Sequence, residues 1–600
     1  MTRPVLGMKP SLLLFAAHMF CANADAQRPS AARHQPFASR RAATEATEAR
    51  ITSLLSRMTL DETIDALGTN PTVPRLGVVG SGHVEGLHGL ALGGPGGWQG
   101  RNLPVIPTTQ FPQARGLGQT WDPAILRQAA QVEAYEARYA YGRYHRGGLV
   151  VRAPNADLSR DPRWGRSEES YGEDPYLVGT LATAFATGLQ GSDPRYWETA
   201  SLLKHFLANS NEDGRDGSSS NFDARLFHCI GVVGVGGVDP WNRAAARALV
   251  RRVTDESIVL LKNDHHLLPL AAARVKSIAV IGPLADTVAL DWYSGTPPRS
   301  VSPLEGLRHR VGAATPVSFA SGNELEKAVA LAKAADVAVV VIGNHPTCNA
   351  GWLKCPVPSD GKEAIDRKSL SLGQEALARA VLAANPRTIV VLQASFPYTT
   401  TWTQEHAPAI LEMTHNSEEQ GSALADVLFG DYNPAGRLTQ TWVSSIDQLP
   451  PMMDYDLRHG RTYLYLTGKP LYAFGYGLSY TTFTYSNLRV SPGGLRSGAK
   501  LEVSVDVRNT GSRAGDEVVQ MYVTHRGSAV ARPIEELKGF RRVLLRGGER
   551  KTIILPLDAS ALAYWSESGK RFVLERDTVE IRVGGSSDNL PLRKTVGVVP

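Results

Sequence analysis

The stretch from Ala153 to Asp174 holds six carboxylates (Asp157, Asp161, Glu168, Glu169, Glu173, Asp174), three arginines (Arg160, Arg163, Arg166) and Trp164. Arginine supplies a fixed fork of donors, carboxylates supply acceptors, and tryptophan offers an apolar face. Together they suit a site that grips a polyhydroxylated ligand. Charge clusters also occur on solvated surfaces, where they pair among themselves, and composition alone leaves both readings open. Further along, Lys204-His205 follows another apolar run. Glu363 stands in Gly361-Lys362-Glu363-Ala364-Ile365-Asp366-Arg367, a long loop between a strand and a helix.

The elements that must carry these residues fall into three regions. Over 45–245, helical segments (Ala130 to Tyr141, Tyr176 to Gln190) alternate with short apolar strands (Leu149 to Val151, Leu202 to His205). That alternation fits a β/α barrel, a fold that presents ligand groups at strand C-termini, and Glu85, Arg166, Lys204 and His205 all fall at or just after apolar runs. Over 246–445, runs rich in Val, Ile and Ala (Ser277 to Ile281, Val337 to Ile342, Thr388 to Leu392, Ala409 to Met413) lie between helices such as Leu325 to Ala334 and Leu372 to Ala384. Continuous apolar strands between helices predict a buried, mostly parallel sheet. After a connector at 446–486, residues 487–600 alternate apolar and polar positions in Lys500 to Val507, Glu517 to Val523, Lys551 to Leu557 and Thr578 to Val583, which predicts an antiparallel β-sandwich.

The 600 residues are 42% apolar, with a net charge of +6. No polybasic run occurs beyond the N-terminal segment, so nucleic acid is not an expected partner. Residues 1–26 read as a secretory signal: Arg3 and Lys9, then apolar Leu12 to Ala17, then Ala24-Asp25-Ala26 as a small-x-small cleavage site. The apolar run is too short to span a bilayer, and His18-Met19-Phe20 before Cys21 is a poor lipobox. Export to a periplasm or to the outside is expected, with 27–44 as a disordered lead-in and no membrane partner. An oxidising compartment would permit a bridge between Cys348 and Cys355 and would leave Cys229 alone. No metal-ligand spacing is evident.

Asp161-Pro162-Arg163-Trp164-Gly165-Arg166, with Glu169 and Gly172-Glu173-Asp174-Pro175, resembles the signature of family-3 glycoside hydrolases. Glu85-Gly86-Leu87-His88-Gly89, Lys204-His205-Phe206, Ser257 to Asn263, Gly430 to Leu438 and Phe474 to Tyr480 are similar to further motifs of that family, in its order. The resemblance implies a β/α barrel, an α/β sandwich and a fibronectin-III-like domain. It also implies enzymes that remove terminal β-linked sugars, such as glucose or xylose, from oligosaccharides and glycosides by retaining hydrolysis. There one carboxylate attacks the anomeric carbon and another serves as acid and then base. No cofactor is needed, and the sequence does not set an oligomeric state. Carried over by motif, Glu85, Arg166, Lys204 and His205 would bind the terminal sugar, Glu85 standing where many relatives have Asp. Glu363 is the best match for the acid/base. An N-acetylglucosaminidase of the same family is less well matched, because Leu207-Ala208-Asn209-Ser210 stands where Pro-Gly-His-Gly is usual.

One part of the pattern is missing. Relatives carry the nucleophilic Asp on a strand well after the Lys-His pair. Here His228 to Val238 leads almost directly to Arg247 and the Ser257 to Asn263 motif. The first region is therefore shorter than a barrel of about 250 residues, and an incomplete barrel is expected. Asp239, in Val238-Asp239-Pro240-Trp241, is the nearest substitute nucleophile, although it better matches a Phe-Asp-Pro-type segment that follows the nucleophile region. Two readings follow: an exo-acting β-glycosidase, or a dead or unstable remnant of one.

Overall fold

The computed structural model describes residues 48–600 apart from 69, 99–102, 194–196, 206–208, 216, 218–243, 349–353 and 492–493. The expected signal and lead-in, Cys21, Phe206, Cys229 and Asp239 lie outside the described residues. Met1–Gly80 and Ser81–Pro600 form separate compact units. In the first unit, Thr59 caps a short helix, Leu60–Asp65, through a reciprocal box with Glu62.

The second unit begins with three parallel strands in the order β1 (His83–Glu85), β2 (Val150–Arg152), β3 (Ala200–Ser201). The chain crosses between them through helices Pro123–Tyr144 and Pro175–Gln190, which pack on each other and bury Ile125, Leu126, Leu181 and Phe185. Both helices start in the same way. Asp122 accepts from the Ala124 and Ile125 amides, Asp174 accepts from the Leu177 amide, and a proline follows each cap. Proline fits there because its missing N–H would have no helical partner. This is the incomplete barrel that the sequence predicts. The strand expected over Leu202 to His205 is displaced: pairing covers Ala200–Ser201, and only Lys204 rejoins the ladder, as an isolated bridge to Asn155. The apolar run Leu202-Leu203 suggested the later register, but the chain leaves the sheet edge at that point.

The α/β region holds a six-stranded sheet in the order β4-β9-β8-β7-β5-β6. Its strands are β4 (Val259–Asn263), β5 (Ile278–Ile281), β6 (Val317–Ala320), β7 (Val337–Gly343), β8 (Thr388–Gln393) and β9 (Ala409–Met413). All pairs are parallel except β4 with β9. Strands β7, β8 and β9 are buried at every residue; each apolar side chain among them contributes about 1.5–3 kcal/mol through burial, and the charge on β9, Glu412, is paired with Arg115. Cys348 and Cys355 are bridged.

The last region pairs β10 (Phe483–Val490), β12 (Lys500–Asn509) and β15 (Arg550–Asp558) in one sheet. The facing sheet holds β11 (Leu495–Arg496), β13 (Gly515–His525), β14 (Glu536–Leu545), β18 (Asp577–Gly584) and β19 (Leu592–Val599), and a separate hairpin joins β16 (Tyr564–Ser566) to β17 (Arg571–Val573). Alternate residues Leu501, Val503, Val505 and Val507 fill the space between the sheets. This sandwich is locked to the rest of the unit. Arg437 donates to Glu517 at 2.7 Å with both side chains buried, Arg542 donates to the Thr120 carbonyl at 2.7 Å, and Tyr463 of the connector meets Tyr522 edge-on with centroids 5.8 Å apart. Among the described residues, no helix is long and apolar enough to cross a membrane.

Glu173 ties the barrel to the connector. Its buried carboxylate accepts from the Thr441 amide (3.0 Å) and hydroxyl (2.6 Å) and from the Tyr463 amide (3.0 Å). Burial outweighs these bonds and pushes the carboxyl up to about 7 from its ordinary 4.5. The folded chain thus keeps a proton that the unfolded chain releases. This group's contribution is full below pH 4.5 and is lost as the pH rises through about 7. Glu173→Gln mimics the protonated form. It is expected to flatten the fall of unfolding free energy across that window by up to about 3 kcal/mol, read from urea titrations at several pH values.

Candidate active site

Glu85 ends β1, and its two oxygens take different partners: Arg152 Nη1, at the end of β2, lies 3.1 Å from Oε1, and Lys204 Nζ donates to Oε2 at 2.9 Å. Parallel register brings these residues to one end of the sheet, because Glu85 pairs with Arg152 and Asn155 bridges to Lys204. The next residue, His205, sits between Asp157 and Arg166. Arg166 Nη2 lies 3.1 Å from Nε2, and Asp157 Oδ2 lies 2.7 Å from Nδ1. Arginine has no lone pair to offer, so Nε2 is the acceptor and the ring proton sits on Nδ1, donated to Asp157. Arg166 also clasps Glu169 with a two-pronged contact at 2.6 and 2.8 Å. Although burial opposes ionisation, Arg166 and Lys204 hold the Glu169 carboxyl below its ordinary range.

Glu363 comes to this cluster from the α/β region. Its Oε1 accepts from Arg215 at 3.0 Å and lies 3.7 Å from Arg166 Nη1, while its Oε2 accepts from the Tyr293 hydroxyl at 2.7 Å. The Glu363 side chain stays 15% exposed, whereas those of Glu85, Arg166 and Lys204 are nearly closed off. Tyr293 forms the opposite wall. Lys204 Nζ stands 4.3 Å from its ring centroid, and Trp98 stacks on it at 5.6 Å. Burial first, then the nearby Glu169 carboxylate, pushes the Tyr293 hydroxyl far up, so it remains a donor.

The described residues assigned a role at the site from the sequence are therefore in one place: Glu85, Arg166, Lys204, His205 and Glu363. Asp239 is outside the described residues. Sequence reasoning missed Tyr293, Arg215 and Glu212. Tyr293 belongs to Asp291-Trp292-Tyr293. Asp291 itself is turned away into a buried network with His88 (3.2 Å), Gln113 (3.0 Å) and Asn416 (2.8 Å). Against the burial that would raise it, these partners hold its carboxyl well below the ordinary range. The cluster has what a sugar ring needs: cationic donors, carboxylate acceptors, an aromatic wall, and one carboxyl that stays accessible.

Such a cluster, at the strand ends of an incomplete barrel with a loop from the α/β region over it, suits a carbohydrate ligand, and comparison with known proteins gives the class as a multidomain glycoside hydrolase. Residues 99–227 match the glycosyl hydrolase family 3 N terminal domain, 258–480 its C-terminal domain, and 517–587 a fibronectin type III-like domain. A "Beta-xylosidase" of Formosa agariphila is 30% identical, covering 90% of this chain and 94% of its own length. The "Periplasmic beta-glucosidase" of Salmonella typhimurium is 27% identical over 77% of this chain and 81% of its own. The crystal structure of the Bifidobacterium adolescentis GH3 beta-glucosidase superposes with a TM-score of 0.77 at 26% identity, covering 91% of this chain and 95% of that one. The chain belongs to glycosyl hydrolase family 3. The alignment to the Formosa relative spans 712 positions, more than the 600 residues here, so that relative carries long stretches with no counterpart in this chain. The N-terminal-domain match stops at 227 and the C-terminal-domain match begins at 258.

Proposed function

We propose that this chain is an exo-acting, retaining β-glycosidase that removes terminal β-D-glucosyl or β-xylosyl residues from oligosaccharides and glycosides. The observation that carries the reading is the arrival of the Glu363 carboxylate 3.7 Å from Arg166, within the cluster formed with Glu85, Lys204 and His205. In this reading Lys204 and Arg166 donate to ring hydroxyls, Glu85 accepts from them, and His205 borders the same ring. Glu363 protonates the departing oxygen and then draws a proton from water, as the retaining cycle requires. Export of the protein accords with the Cys348–Cys355 bridge and with the periplasmic relative.

The attacking carboxylate is the open position, and Asp239 is its candidate. Incubation with a 2-deoxy-2-fluoro aryl β-glucoside or β-xyloside, followed by peptide mass spectrometry, tests it. A glycosyl adduct on the peptide holding Asp239, abolished in Asp239→Asn, would make it the nucleophile. A label on a different peptide would reassign the nucleophile. The bracketed gap between the two family-domain matches favours a second reading, a remnant without turnover. Absence of both label and aryl-glycoside hydrolysis would select it.

A further inference from the structure

The loop that carries Glu363 is seated by two buried carboxylates that have no part in the reaction as described above. Asp366 Oδ1 accepts from the Gly165 amide at 3.0 Å, and its Oδ2 accepts from the Glu212 and Asp213 amides at 2.6 and 2.9 Å. In return, Asp213 Oδ1 accepts from the Asp366 amide at 3.1 Å. Glu212 reciprocates from the barrel side. Its Oε1 accepts from Trp164 Nε1 at 2.9 Å, and its Oε2 accepts from the Ala364 amide at 2.9 Å and from Arg215 Nη1 at 3.0 Å. That same Arg215 nitrogen donates to Glu363 Oε1 at 3.0 Å.

Three features make this a built seat. The side chain of Glu212 has no exposed surface, and Asp366 is 2% exposed. A buried charge is tolerated only when its hydrogen bonds are made, and here the donors come from separate loops of the barrel and the α/β region. The fit between the loops is also close. A Cβ on Gly165 would meet the Ile365 and Lys362 carbonyl oxygens at 2.0 and 2.4 Å, so only glycine lets the two backbones touch. Ala364, beside Glu363, holds a left-handed backbone (φ 69°) that an alanine rarely adopts, and its amide is the one that Glu212 binds.

We propose that Glu212 and Asp366 are positioning residues for Glu363: they clamp its loop onto the barrel, and Arg215 transmits that alignment to the carboxyl. The proposal rests on Glu363 being the acid/base. A misplacement of about 1 Å in such a group costs about 10²-fold in rate, and the cost falls on substrates whose leaving group needs a proton.

The test compares phenyl and 2,4-dinitrophenyl β-glycosides on the purified full chain. Glu212→Gln and Asp366→Asn are expected to lower kcat on the phenyl glycoside by about 10–10²-fold, leaving KM and the dinitrophenyl rate near those of the unaltered chain. Arg215→Met, which leaves the Ala364 and Trp164 contacts of Glu212 in place, is expected to give the same signature and decides the matter if the first two do not fold. Equal losses on both glycosides, a change in KM alone, or no loss in any variant would overturn the proposal. If Glu363→Gln shows the signature and the others do not, the clamp is wrong and the acid/base assignment stands. If Glu363→Gln lacks it, or the unaltered chain has no turnover, the assignment falls and the clamp falls with it.

Discussion

Glu363→Gln is expected to lower kcat/KM on a phenyl β-glycoside by about 10²–10⁴-fold, the usual contribution of a positioned general acid. The amide keeps nearly the shape of the carboxyl and can still accept from the Tyr293 hydroxyl, which is 2.7 Å from Oε2. It cannot carry the proton. The loss is therefore expected to shrink sharply on a 2,4-dinitrophenyl glycoside, whose leaving group departs as a stable anion. Added azide is expected to restore turnover on that activated substrate by replacing water, which then needs no base. A uniform loss on both glycosides, insensitive to azide, would assign Glu363 to sugar binding instead.

The largest effect on stability is expected at Arg115. The short helix Ala114–Gln119 presents Arg115 and Gln119 on one face. Both reach Glu412 on β9: Arg115 Nη1 donates to Oε1 at 2.7 Å and Gln119 Nε2 donates to Oε2 at 2.6 Å. The Arg115 and Glu412 side chains are fully buried. Burial pushes the Glu412 carboxyl up, and Arg115 is the strongest opposing influence. Arg115→Met leaves that carboxyl without its counter-ion in the interior and is expected to cost about 3–5 kcal/mol, measured as the unfolding free energy in urea. The double replacement Arg115→Met with Glu412→Leu is expected to recover most of that loss, because a well-packed apolar pair often matches a buried ion pair. If the double variant were as unstable as the single one, packing rather than the stranded charge would be the cause.

What the sequence revealed of the site was the part that travels in short runs. Asp161 to Arg166, Lys204-His205 and Glu85 each lie on or just after a strand of one parallel sheet, so local pattern and fold class together predicted their convergence. Glu363 was legible for a different reason: the family resemblance pointed to it, and its long loop is one that can reach over a neighbouring barrel. Tyr293, Arg215 and Glu212 were not legible. Their partners lie far away in sequence, with Tyr293 to Glu363 spanning 70 positions and Glu212 to the Ala364 amide 152, and no local periodicity encodes such a pairing. The strand misplaced over Leu202 to His205 illustrates a related limit. Apolar residues mark burial, but the point where a chain leaves a sheet edge is set by the neighbouring strand. In the α/β region the predicted strands were found because burial on both faces leaves uninterrupted Val and Ile, whereas β4 and β6, at the two edges of the sheet, escaped notice.

The contacts of the C-terminal sandwich have a consequence for how this protein can be taken apart. Arg437 with Glu517, Arg542 with the Thr120 carbonyl, and the edge-on Tyr463–Tyr522 contact tie it to segments that also frame the barrel and the α/β sheet. Severing the chain near residue 486 would uncover the buried charges of Arg437 and Glu517 together with aromatic surface on both fragments. The sandwich is accordingly a keystone, not a detachable accessory. A protease that nicks surface loops should leave a single hydrodynamic particle, and truncation for expression should not yield a soluble, self-sufficient module from either side of the cut.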